Sequence, residues 1–154
     1  MRILFLAVAM LFAYSSSSLA DKLPKSAKPL TADEVKAIYS GKSVVWSKTN
    51  GFYFSPDGVT KGYNGSYYID GKWEVKDNIM CMMNQGVDSK TKETDGKTYT
   101  DCNTWFKDAK GRLWDLYSTR YDGSKPPKND YNRDTDKKFK NGDTIDAKYG
   151  KLKG

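Results

Sequence analysis

The strongest constraint on the fold is a rhythm. From Val44 to Tyr117 the chain is a series of short β-branched and aromatic runs broken by turn residues. Val44-Val45-Trp46 is followed by Phe52-Tyr53-Phe54 after Asn50-Gly51, and Pro56-Asp57-Gly58 makes a turn. Tyr67-Tyr68-Ile69, Trp73-Glu74-Val75 after Asp70-Gly71, and Ile79 to Met83 after Asp77-Asn78 continue the series. Tyr99 to Phe106 and Leu113 to Tyr117 complete it, joined by a tight Asp108–Gly111 connection. Runs of this length with Asx-Gly punctuation spell an antiparallel meander. The fold class is therefore mainly β: an antiparallel β-meander of roughly six to eight strands, or a small barrel, with one N-terminal α-helix.

That helix has a sharp start. Thr31 and Glu34 form a capping-box pair, and Leu30 and Val35 hold the staple positions around it. The spacing predicts a helix from Ala32 to Ser40 stopped at Gly41, with Val35, Ile38 and Tyr39 seated on the sheet. Strand alternation places Trp73 and Val75 inward, with Lys72, Glu74 and Lys76 in water. In the last run it assigns Trp114 and Leu116 inward, and Leu113, Asp115 and Tyr117 outward.

The first twenty residues set the compartment. Arg2, the apolar run Ile3 to Phe12, four serines and Ser18-Leu19-Ala20 make a signal peptide over 1–20, too short to span a bilayer as a stable helix. No later stretch is apolar enough to span, so the mature chain is expected without a transmembrane segment and in a periplasmic or secreted location. Residues 21–29 read as a flexible linker, 30–149 as one β-rich domain, and 150–154 as a frayed basic tail. Residues 85–97 and 121–140 read as polar loops, and 141–145 as a last turn and strand. Beyond an export signal, Cys81 and Cys102 read as a disulfide between neighbouring strands; a reactive thiol pair is the alternative, with no C-x-x-C spacing to favour it.

Composition narrows function mainly by exclusion. The chain has no histidine, which removes Ser-His-Asp and Cys-His catalysis and histidine zinc sites. Any enzyme here would rely on carboxylates; Glu74 and Asp115 are candidates for a glycan hydrolase, a pairing with no specificity among sixteen aspartates. Asp130, Asn132, Asp134 and Asp136 resemble a calcium loop, but the loop's glycine and terminal glutamate are missing, so the run reads as solvated. Met80, Met82 and Met83 around Cys81 alternate in facing and do not converge on a soft metal. No cofactor and no metal site are expected. The 26 basic against 19 acidic residues are interleaved, so nucleic acid is not an expected partner. The basic tail allows contact with an anionic membrane surface. Tyr53, Tyr63, Tyr67, Tyr68, Trp105 and Tyr121 are the candidate ligand-binding residues, an aromatic platform for a glycan. Cross-strand packing is the competing account of the same rings.

The order Leu30-Thr31-Ala32-Asp33-Glu34-Val35, Tyr39-Ser40-Gly41, Trp46, Tyr53-Phe54, Pro56-Asp57-Gly58, Gly71-Lys72-Trp73-Glu74-Val75, Cys81, Cys102 and Gly111 resembles a family of small exported alphaproteobacterial proteins known only as a domain of unknown function. The resemblance implies an envelope location and, through paired cysteines, a disulfide; it supplies no catalytic residues. The Gly-x-Trp piece is similar in shape terms to lipocalin-like barrels. The leading functional expectation is an exported, non-enzymatic module binding an envelope glycan or protein. The alternatives are a small-molecule or lipid carrier with a barrel pocket and a carboxylate-dependent glycan hydrolase.

Overall fold

The computed structural model describes residues 22–120, 124 and 129–154. The helix forms as its caps dictate. In α1 (Ala32–Tyr39) the Thr31 side chain accepts from the Glu34 amide and the Glu34 carboxylate accepts from the Thr31 amide. Gly41 follows with φ +71°, a left-handed conformation that glycine adopts without steric cost, and its amide donates to the Phe54 carbonyl at 2.8 Å.

The strands are β1 (Lys28–Pro29), β2 (Lys42–Ser47), β3 (Asn50–Phe54), β4 (Val59–Asn64), β5 (Tyr67–Lys76), β6 (Ile79–Asp88), β7 (Tyr99–Lys107), β8 (Leu113–Thr119), β9 (Tyr131–Arg133) and β10 (Lys140–Asn141). All pairings are antiparallel, in the order β10-β2-β3-β4-β5-β6-β7-β8-β9, and β1 pairs with the end of β7. The sheet curls into a half-barrel. A 3-10 turn, Thr135–Lys138, links the two edge strands β9 and β10, and Phe139 behind it meets Tyr39, Trp46 and Phe54. Helix α1 stops one end of the curl, burying Val35, Ile38 and Tyr39. Trp105, with no exposed surface, donates its indole N–H to the Tyr39 hydroxyl at 3.0 Å. Phe54 and Trp73 pack edge-on at 6.0 Å beside them.

Several expectations are corrected. Asp70-Gly71 is not a turn: β5 runs through it, and β6 continues to Asp88, so the polar connection is shorter than 85–97. Gly51 is likewise inside β3, and β4 was not anticipated as a separate strand. These glycines serve close packing. A Cβ on Gly71 would lie 2.1 Å from Asn84 Oδ1, because buried Thr60 and Asn84 hydrogen-bond across β5 at 2.7 Å over that position. A Cβ on Gly51 would meet the Tyr63 hydroxyl at 2.9 Å. The last residues of the 21–29 segment are not linker but β1. The 121–140 segment contains β9 and the 3-10 turn, and 141–145 leads from β10 into a helix rather than a strand. The 150–154 tail falls largely in that helix, α2 (Asp146–Lys153).

Helix α2 lies on the outer face of β4 and β5. Ile145, Tyr149 and Leu152 pack on Tyr63, Tyr53 and Tyr68. Lys153 pairs with Asp70 at 2.8 Å, and Tyr149 donates to the same carboxylate. Lys61 pairs with Asp143 and Asp146 at 2.5 Å each. The Lys92 ammonium donates to the carbonyls of Leu152 and Lys153, where a helix C-terminus is electronegative.

The disulfide Cys81–Cys102 is present, joining directly opposed residues of β6 and β7 with Cα atoms 4.1 Å apart. It occupies the outer face, since Trp73, which faces inward, opposes Met82 and not Cys81. In β8 the expected facing is reversed. Asp115 opposes inward Trp105 and Tyr117 opposes Asn103, so Asp115 and Tyr117 point inward while Trp114 points out. Trp114 is buried there because its indole donates to Asp108 Oδ2 at 3.0 Å and the guanidinium groups of Arg112 and Arg133 stand 5.6 and 5.7 Å from its ring.

Candidate functional site

The inner faces of β3 to β8 do not fill the curl. They enclose a cavity of about 1360 Å³ that opens at the end away from α1. Its floor is apolar: Tyr39, Phe52, Phe54, Met80, Met82 and Phe139. Each strand then changes chemistry toward the mouth. Asn50 follows from Phe52 on β3, Asn84 from Met82 on β6, and Asp101 and Asn103 from Trp105 on β7. The alternation that makes one face of a strand a wall carries these polar residues into the same space.

The walls near the mouth are acidic. Among the described residues seven carboxylates line the cavity, against Arg133 and Lys138 as its cationic side chains. Asp88 accepts the amides of Lys90 and Thr91, which hold its carboxyl below the usual aspartate range. Asp95 is lowered in the same way by the Tyr99 hydroxyl and the Lys97 amide. Both turns therefore present full negative charge at neutral pH. Tyr117 donates to Asp101.

Asp115 is the exception in depth. It is 2% exposed, its Oδ2 accepts from Asn103 Nδ2 at 2.9 Å, and no well-formed hydrogen bond reaches its Oδ1 among the described residues. Burial raises its pKa, while Thr135, Asn103, Asn132 and the charge of Lys138 pull the other way. Asn50 Oδ1, also on the cavity wall, is a buried acceptor without a partner among the described residues. Two aromatic side chains stand exposed at the opening: Trp46, with Lys138 5.1 Å above its ring, and Tyr67.

The aromatic candidates do not form one platform. Trp105 lies in the core beneath the cavity. Tyr63 is buried under α2 with the Lys148 ammonium 4.1 Å from its ring, and Tyr53 and Tyr68 support the same helix. Tyr67 alone of the described candidates reaches the cavity; Tyr121 lies outside the described residues. The cause is strand parity. Positions 53, 63 and 68 are on the outer face, and 67 and 105 are inside at opposite ends.

Glu74 opposes Cys81 on the outer face, so it cannot work with Asp115 inside. Among the described residues no group of three or more carboxylates and cysteines is arranged to hold a metal ion. Asp134 is instead paired with Lys137 at 3.1 Å.

The residues missed by sequence reasoning are Asn50 and Asp101; Asp115 was a candidate only as a partner of Glu74, and its inward facing was missed. One signal was available: acids and amides at every second position of β7 (Asp101, Asn103) and at Asp115 are unusual on strands so rich in aromatics.

A curled antiparallel sheet, stopped at one end by a helix and open at the other, defines a cup-shaped β-protein with an internal cavity. The chain belongs to the family described as Protein of unknown function (DUF995), which it matches over residues 6–145. Neither a curated protein nor a solved structure matches it. Helix α2 lies beyond the matched residues.

Proposed function

We propose that this protein is an exported, non-enzymatic binding module that takes a small amphipathic molecule of the cell envelope into the interior of its curled sheet. The observation that carries this reading is the cavity itself. About 1360 Å³ with an aromatic and thioether floor exceeds what side-chain packing leaves by accident, and a concave space with an apolar floor and polar walls suits a ligand. The outer aromatic residues are occupied by α2, which favours the interior over an external glycan platform. Export is supported by the disulfide, which persists in oxidising compartments, and by a family match that reaches back into the apolar opening run. No helix among the described residues is long and apolar enough to cross a membrane.

The test uses the full chain processed in its own cells and the neutral probe N-phenyl-1-naphthylamine. Saturable one-to-one fluorescence enhancement is expected, reduced at least tenfold by Met82→Trp, which fills the floor. Native mass spectrometry of the same material should carry a non-covalent adduct that this variant loses. A wild-type protein that gives neither saturable enhancement nor an adduct would end this reading.

A further inference from the structure

The cavity has the opposite charge to the chain that forms it. The protein carries 26 basic and 19 acidic residues, yet among the described residues this cavity is walled by seven carboxylates and two cations. The two cations are already engaged: Arg133 with Asp134 and over Trp114, and Lys138 over Trp46. The wall also offers hydrogen-bond acceptors that lack donors. Among the described residues Asn50 Oδ1 is buried without a partner, and Asp115 Oδ1 is buried without a well-formed one, with Thr135 and Asn132 beside that carboxyl. A buried acceptor in that state is a cost that a donor from a ligand or from solvent relieves. Anions gain nothing there, and a neutral apolar molecule would leave both oxygens as they are.

We infer that the cavity selects an amphipathic cation, an amine or guanidinium with an apolar body. The body lies on the floor of Phe52, Phe54, Met80 and Met82, and the cationic head donates to Asp115 and Asn50 within the ring of carboxylates. Asp115 is the innermost recognition group. The outer carboxylates, Asp88 and Asp95 among them, act at longer range, raising the local concentration of cations and repelling anions. The exposed ring of Tyr67 stands at the opening, where an aromatic face attracts a passing ammonium group.

This rests on the binding-module reading, and the test separates the two. Decylammonium, decanol and decanoate are compared as competitors of N-phenyl-1-naphthylamine on the full processed chain. Decylammonium should displace the probe at least tenfold more tightly than decanol, with decanoate weakest. Added salt should narrow the gap. Asp115→Asn keeps the side-chain shape and should bring decylammonium to within threefold of decanol. Asp130→Lys, at the mouth and away from the core, should weaken decylammonium alone and serves if the Asp115 variant does not fold. Equal affinity of decanol and decylammonium for the wild-type protein would overturn the cation assignment while leaving the binding module intact. Tightest binding by decanoate, or an equal loss of both decanol and decylammonium in the Asp115 variant, would also overturn it. Displacement by none of the three, with no probe bound, would remove both.

Discussion

The two ends of the same curled sheet follow opposite rules. At the helix end, inward positions are Phe54, Trp73, Met80 and Trp105, packed against Tyr39 with both indole N–H groups donating hydrogen bonds. At the open end, inward positions on the same or neighbouring strands are Asn50, Asn84, Asp101 and Asp115, and some of their acceptors go unmet. Burial of large rings supplies the folding free energy at one end. The other end is maintained at a cost that only a ligand or solvent can relieve. Stability and recognition are thus separated along the strand axis.

The sharpest way to break this separation is at the floor. Trp105→Ala removes a fully buried ring and the donor to Tyr39, and should cost about 3–5 kcal/mol, read by urea or thermal unfolding. A loss under about 1 kcal/mol would mean the helix end is not where stability resides. Next is the disulfide, which closes a separation of 21 residues on the outer face. Replacing both cysteines by alanine should cost roughly 3 kcal/mol of stability yet leave the affinity of the cavity probe within a factor of two. Loss of probe binding from a still-folded variant would show that outer and inner faces are coupled.

Smaller again is Gly71→Ala, set at the join between the two ends. The added methyl meets Asn84 and the Met83 carbonyl and must part the Thr60–Asn84 bond, for a loss of roughly 1–3 kcal/mol by unfolding. A neutral outcome would mean that the glycine is there for backbone reasons and not for the bond that passes over it.

Gly71 also explains where the sequence misleads. Asp70-Gly71 has the composition of a turn, but its glycine answers to a contact two strands wide, between residues 24 apart, which no local window contains. The α1 capping box and the Cys81–Cys102 pairing were legible because each depends on short-range chemistry or on a choice of one partner. The facing of β8 was not. Leu113-Trp114-Asp115-Leu116-Tyr117 has apolar residues at both parities, and the register is decided by Asp108, Arg112 and Arg133 holding Trp114 outside. The site went unseen for that reason, since the reversal is what brings Asp115 inside. Helix α2 did leave a trace: Ile145, Tyr149 and Leu152 have helical spacing. Its lysines disguised it as a tail, because their partners Asp70 and the Tyr63 ring are distant in sequence.

The smallest effect compares two buried aspartates of opposite character. Asp108, in the turn between β7 and β8, is held at about 2: burial alone would raise it, but the Trp114 indole, the Arg112 amide and guanidinium and the Lys110 amide outweigh that. Its folded pKa is below the unfolded value, so its stabilisation is present above the ordinary aspartate range and is lost as pH falls toward 2. Asp115, inside, is raised, chiefly by burial. For it the sign reverses. In acid both folded and unfolded states are protonated and nothing is lost, whereas stability declines as pH rises through the unfolded and then the folded pKa. Asp108→Asn should therefore lower stability at neutral pH and flatten the acid limb of the unfolding profile. Asp115→Asn should match the wild type in acid and become slightly more stable than it at neutral pH, where a buried charge is no longer held for a ligand. Thermal unfolding of the three proteins across the carboxylate range reads both signs together. An Asp115→Asn protein that is less stable than the wild type at neutral pH would place that carboxylate among the groups that hold the fold together, and the division between a stabilising end and a recognising end would then fail at its deepest residue.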